Sequence, residues 1–370
     1  MPSPVWVPTF RRAGLATALA AAPLALAYRF ALIYRRRAGY PRPHPPLVTP
    51  AFFGLTFEDL VVPAEGTAGL PAWFMPANDG AAGPGVALVH GWESARDRTL
   101  PMALFLNAAG FHCLSVDVRG HGANAAETLP VSAGEFGSDA LAAFRTLVDR
   151  PEVTSGAISG HSMGAIGAIL AAAADERVAA VVATASPADP LRLTRQTFRL
   201  ARLPIPDPIA YPLAWLTTRV FLRPRGHRVG GISAAAALTT YDRPVLLVHG
   251  DIDDVVPVGH HRRLMKVASA AGRSVESLVI PGGRHSWLYE FPEYRRTVAS
   301  FLASTLGGRY SPEEAGERAA ATDALRIPEG ETQLDAVAAE PGGFRSLAAI
   351  ALPARRRDPP VQTGLGDTAS

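Results

Sequence analysis

Ile158-Ser159-Gly160-His161-Ser162-Met163-Gly164 is the stretch on which the fold turns. The apolar run Gly156-Ala157-Ile158 enters it, and the alanine-rich run Ala165 to Ala174 leaves it. This pattern predicts a strand passing through Gly-x-Ser-x-Gly into a helix. Such a turn is sharp, lifts its serine hydroxyl above the sheet edge, and draws together the residues two before and two after the serine. Gly160 and Gly164 hold those two places, where a Cβ would be in the way. Gly167 is expected to let the helix lie close to the neighbouring strand. A serine hydroxyl is a poor nucleophile at neutral pH, so Ser162 needs a base and an acid from elsewhere in the chain.

Both are found downstream. Pro244-Val245-Leu246-Leu247-Val248-His249-Gly250 reads as a buried strand, and Asp251-Ile252-Asp253-Asp254-Val255-Val256-Pro257 follows it directly. Ser274 to Ile280 reads as another strand and ends in Pro281-Gly282-Gly283-Arg284-His285. The candidate serine, acid and histidine thus all lie just past strand ends, the edge at which open α/β sheets gather ligands. His285 would take the serine proton, and an aspartate would hold the imidazole in the productive tautomer. Asp251, Asp253 and Asp254 compete for that role. The oxyanion would need two backbone donors: Met163 N–H is one, and Val86-Ala87-Leu88-Val89-His90-Gly91-Trp92 resembles the strand and turn by which α/β-hydrolases supply the other, which implies Trp92 N–H.

Motifs spread over roughly Phe52 to Leu306 resemble the α/β-hydrolase superfamily. They are Gly-x-Ser-x-Gly; His249-Gly250-x-x-Asp253-x-x-Val256-Pro257; Gly282-Gly283-x-His285; and the His90-Gly91 turn with Asp117-x-Arg119-Gly120-x-Gly122 behind it. Within it the chain resembles bacterial hydrolases of the serine-aminopeptidase-like kind, often with one N-terminal membrane segment. The resemblance implies a mostly parallel, doubly wound sheet with an inserted helical lid at about 187–240, and a Ser162-Asp253-His285 triad. It implies no cofactor. An ester-like substrate, small or lipid-like, is the favoured reading. A peptidase of the aminopeptidase-like branch or a thioesterase is the alternative, and a non-catalytic binding module is the rival from another class.

Composition sets further bounds. Thirty-six basic against thirty-three acidic side chains leave a net charge of +3, which gives no reason to expect nucleic acid. The lone Cys113 falls in the predicted strand Phe111 to Val116 and reads as core, and the histidines show no paired metal-ligand spacing. Residues 1–12 form an N-terminal tail. Ala13 to Tyr34 is long enough to span a bilayer and is flanked by Arg11 and Arg12 before and by Arg35, Arg36, Arg37 and Arg42 after. The heavier cluster behind favours an uncleaved anchor with a cytoplasmic catalytic domain; a cleaved secretory signal or a peripheral helix is the other possibility. An Arg/Pro-rich linker over 35–51 then leads to the hydrolase domain at 52–306. A tail over 307–370 is expected to be disordered. In the lid, Arg192, Arg195, Arg199 and Arg202 follow helical spacing, a stripe facing either solvent or an anionic membrane.

Overall fold

The computed structural model describes residues 45–124, 131–200, 206–223 and 226–327, with 17, 21–32, 39 and 41 near the N-terminus. Among the described residues eight strands make one sheet in the order β1-β2-β4-β3-β5-β6-β7-β8. They are β1 (Glu58–Val62), β2 (Leu70–Met75), β3 (Gly83–Val89), β4 (His112–Val116), β5 (Val153–His161), β6 (Val178–Thr184), β7 (Val245–Gly250) and β8 (Val275–Ile280). The β1–β2 and β2–β4 pairings are antiparallel, and all the others are parallel. The central strands β3 and β6 are largely apolar because helices cover both faces of the sheet.

Alternation along β3 sorts the core. Ala87 and Val89 face a layer built from α2 (Ala133–Val148), α3 (Met163–Ala172), α6 (Ala234–Ala237) and α7 (Gly259–Ala270). Val86 and Leu88 face the opposite layer, built from α1 (Leu100–Ala108), α8 (Pro292–Leu306) and α9 (Pro312–Ala320). The chain leaves β3 towards β4 and leaves β5 towards β6, so the order reverses between these two neighbours. That switch point opens a crevice at their C-terminal ends.

Between β6 and β7 the chain makes a helical excursion through α4 (Pro190–Leu200) and α5 (Asp207–Leu222) before the short α6. The Thr218 hydroxyl donates to Thr194 Oγ1 at 3.0 Å, tying α5 to α4. His227, beyond α5, brings Nε2 to 2.9 Å from Glu135 Oε1. Glu135 also closes the capping box of α2 by accepting from the Ser132 N–H at 2.7 Å.

Three expectations change. Gly167 lies against a helix rather than a strand: a Cβ there would come within 2.8 Å of the Phe136 carbonyl on α2. Residues from Gly307 onward are not uniformly without structure. Helix α9 is capped by Ser311 and buries Ala315 and Ala319, and Ile327 is buried too. Arg295 of α8 donates to the carbonyls of Ala319 and Ala320, satisfying the end of α9; its small polar sequence concealed a face complementary to α8. The arginine stripe is not a free row, since Arg192 reaches Asp189 and Arg195 reaches Asp207. The side chain of Arg199, residue Arg202, positions 328–370, and 13–16, 18–20 and 33–34 of the expected anchor lie outside the described residues. Among the described residues no helix is long and apolar enough to cross a membrane.

Two buried polar contacts generate predictions. Arg119 donates from Nε to Asp139 Oδ1 at 2.9 Å and from Nη2 to the Glu65 carbonyl at 2.9 Å, joining the turn after β4 to α2 and to the β1–β2 hairpin. Arg119→Met would strand a wholly buried carboxylate and should lower unfolding free energy by about 3–5 kcal/mol, with Arg119→Met/Asp139→Leu recovering part of it in denaturant titrations. The second contact involves His260, whose Nδ1 accepts the Ala188 N–H at 3.0 Å and so must be unprotonated. Burial pushes both His260 and His261 down to about 4. An unfolded histidine takes its proton near 6.5, so the unfolded state binds more protons in between. Stability should therefore hold above about pH 6.5 and fall as pH drops towards 4, less steeply in His261→Gln, as read from Tm against pH.

Candidate active site

Ser162 stands between the end of β5 and the start of α3 with φ 54° and ψ −114°, a backbone conformation that non-glycine residues rarely adopt. Its neighbours impose this. The Ser162 N–H donates to the Thr184 carbonyl at the end of β6, 2.9 Å away. A Cβ on Gly160 would overlap the Gly164 carbonyl, and one on Gly164 would overlap the carbonyls of Val89 and His90. Only glycine lets strand and helix cross this closely.

The turn after β3 closes on the same point. A Cβ on Gly91 would lie 3.4 Å from Ser162 Cβ, so the Gly91-Trp92 backbone borders the serine. His90 sets that turn: its Nδ1 lies 2.7 Å from the Gly91 carbonyl, and its Nε2 accepts the Val118 N–H at 3.1 Å. Nδ1 must then carry the proton and donate. The Trp92 ring packs on His121 and Phe136. Met163 opens α3, where the first N–H groups have no partner within the helix.

Of the three aspartates after β7, Asp253 turns inwards. Its Oδ2 lies 2.9 Å from His285 Nδ1, while Oδ1 accepts the N–H groups of Val255 at 3.0 Å and Val256 at 2.7 Å. Asp251 instead accepts from Gly282 N–H at the exposed loop, and Asp254 is exposed. Burial alone would raise Asp253; the hydrogen bonds from His249 and His285 outweigh it and hold the carboxyl well below the usual range. His249 is a partner that sequence reading assigned only to a motif. Its Nε2 donates to the Val256 carbonyl at 2.6 Å and stands 3.3 Å from Asp253 Oδ2. His161, beside the serine, has Nε2 2.8 Å from the His285 carbonyl and so braces the histidine loop. Nothing in the spacing of His249 or His161 announces these contacts.

Ser162, Asp253 and His285 are each less than a tenth exposed. Ser162 and His285 line one cleft, walled also by Trp287, Tyr289 and Tyr294. A second cavity lies under the lid, between Ile166, Leu193, Phe221, Leu222, Ile232 and Val256. Ser162 and Trp92 border both. Among the described residues no group of three or more His, Cys, Asp or Glu could hold a metal ion. If Asp253 orients His285, Asp253→Asn should lower kcat by about 10⁴-fold through the wrong tautomer, with Tm changed far less than in Arg119→Met.

The alpha/beta hydrolase family matches residues 86–297, which run from β3 to α8. An uncharacterized protein of Mycobacterium tuberculosis is 30% identical over 257 residues, 69% of this chain and 79% of the relative. In fold, the chain is similar to the Pyrococcus furiosus esterase Pf2001, with TM-score 0.58 and 22% identity over 72% of this chain and 99% of the esterase. It is also similar to the acylaminoacyl peptidase of Pyrococcus horikoshii, with TM-score 0.54 and 16% identity over 70% of this chain and 44% of the peptidase. The sheet order, the serine turn and the matched span make this chain a member of the alpha/beta hydrolase family.

Proposed function

We propose that the chain is a serine hydrolase cleaving a carboxylic ester through an acyl-enzyme on Ser162. The observation that carries this reading is the His285–Asp253 hydrogen bond at 2.9 Å, with His285 in the same cleft as the strained Ser162. His285 Nε2 takes the proton as Ser162 Oγ bonds to the ester carbonyl carbon. The N–H groups of Trp92 and Met163 receive the oxyanion, and the strained turn keeps them aimed before substrate arrives. His285 then gives its proton to the leaving alkoxide. Water, deprotonated by the same imidazole, releases the acid and restores the serine.

The two cavities divide the substrate. The leaving oxygen must come within reach of His285, so the alcohol side occupies the cleft that His285 lines. The acyl side is left the cavity under the lid, whose walls are largely aliphatic and aromatic. A peptidase that grips a free amine would need carboxylates there; among the described residues no Asp or Glu lines either cavity, which supports an ester over an aminopeptidase substrate.

Ser162→Ala and His285→Ala should each remove nearly all hydrolysis of p-nitrophenyl esters, and the double variant should lose little more, since the two act as a unit. A fluorophosphonate probe should label wild type and not Ser162→Ala. Narrowing the acyl cavity with Leu193→Trp should shift the preferred p-nitrophenyl ester to a shorter chain. A panel including acyl-CoA thioesters and amino-acid anilides reads out the competing activities, and faster anilide cleavage would replace the ester reading by the peptidase one.

A further inference from the structure

The outer face of α5 carries an unusual set of side chains for a solvent-facing surface. Tyr211, Trp215 and Arg219 recur every four residues and so share one side of the helix, with Pro208 and Pro212 between their rows. All five are exposed, Tyr211 by 42% and Trp215 by 49%. Ile209, 60% exposed, adds to the rim at the start of the helix. The opposite side of the helix is buried through Ala210, Ala214 and Thr217. Helix α5 is therefore amphipathic in a second sense: the side away from the core is itself aromatic.

Cations edge this aromatic strip. The Arg219 guanidinium lies over the Trp215 ring at 3.8 Å, and that of Arg195 over Tyr211 at 4.1 Å. Residues 187–240 contain eight arginines and two acids. Both acids are already engaged, Asp189 by Arg192 and Arg263 and Asp207 by Arg195, and the excursion carries a net positive charge. Arg223 and Arg228 are exposed on the same excursion. Exposed tryptophan and tyrosine flanked by arginine match the chemistry of a bilayer interface, where amphipathic rings settle at headgroup depth and guanidinium groups meet anionic phosphates.

We propose that this face of α5 docks on an anionic lipid surface, so that the lid is the element in contact with the membrane. Its inward-facing Thr218, Phe221 and Leu222 roof the cavity next to Ser162. A lipid acyl group would thus pass from the interface to the serine across about one helix diameter, roughly 10 Å. Docking does not depend on the hydrolase reading; only the use made of it does.

The test uses the full chain with vesicles of phosphatidylcholine alone or mixed with phosphatidylglycerol, containing lipids brominated near the headgroup to quench nearby tryptophan. Quenching should appear with the anionic vesicles, fall at high salt, and lose its Trp215 part in Trp215→Phe. Arg219→Gln should weaken the anionic-vesicle signal about fivefold. Tyr211→Ser/Trp215→Ser should slow hydrolysis of a vesicle-embedded long-chain ester at least tenfold while leaving a soluble short-chain ester within twofold. Ser162→Ala should quench like wild type, while wild-type protein that quenches yet hydrolyses none of the esters would remove the hydrolase reading and keep the docking. Equal quenching in wild type and Trp215→Phe, or quenching indifferent to lipid charge, would overturn the proposal. So would a loss of dimer mass in Tyr211→Ser/Trp215→Ser without any change in quenching, which would assign the face to self-association.

Discussion

Much of this structure is arranged around holding one residue in a conformation it would otherwise avoid. Ser162 sits at positive φ because β5, α3 and the turn after β3 approach more closely than side chains allow, with glycine at 91, 160 and 164. Strain of this kind costs of order 1–3 kcal/mol and persists only when surrounding structure over-determines it. Here the surroundings are the parallel pairing of β3, β5 and β6, the Ser162–Thr184 backbone bond and the packing of α3 beneath α2. The strain is offset by a large apolar core, and in exchange the serine hydroxyl is raised above the sheet edge.

The same economy governs the charged members of the site. Asp253 is buried, yet its two oxygens receive the Val255 and Val256 amides, His285 and, at longer range, His249. A buried carboxylate so well satisfied stays ionised and cannot rotate, which is the condition for it to fix an imidazole. His161 and His90 then extend the control outward, one bracing the histidine loop and the other the turn that carries the Trp92 amide. Four histidines thus converge on one site, His285 and His249 at Asp253, His161 and His90 at the loops around it.

Opposite demands meet in the lid. It must close an apolar cavity on one side, hence Leu193, Phe221 and Ile232, and it must stay attached to a domain whose other layers are already filled. Attachment comes from polar contacts at its ends: Ala188 to His260, Asp189 to Arg263, and His227 to Glu135. Such contacts can break and re-form more readily than a packed core, which suits an element that covers a binding site.

Strand-helix alternation, the glycine spacing around Ser162 and the motifs at His90, His249 and His285 were legible from the sequence because they are local. Each depends on residues within a few positions of one another, and the period of a strand or the size of a glycine acts at that range. Among Asp251, Asp253 and Asp254 local sequence makes no choice; the family resemblance points to Asp253, and its hydrogen bonds to Val255, Val256 and His285 set it apart. Contacts between distant segments could not be read this way. The second donor at Asp253, the brace from His161, the docking of α9 on α8 and the packing of Gly167 against Phe136 link segments with no shared local pattern. Charge spacing likewise suggested an arginine stripe, yet Arg195 turned to Asp207 and Tyr211, because an arginine goes to whichever acid and ring the fold brings near. Local stereochemistry therefore determined the turn and the candidate nucleophile. Tertiary packing decided which side chains surround them, since that depends on which surfaces meet once the sheet has formed.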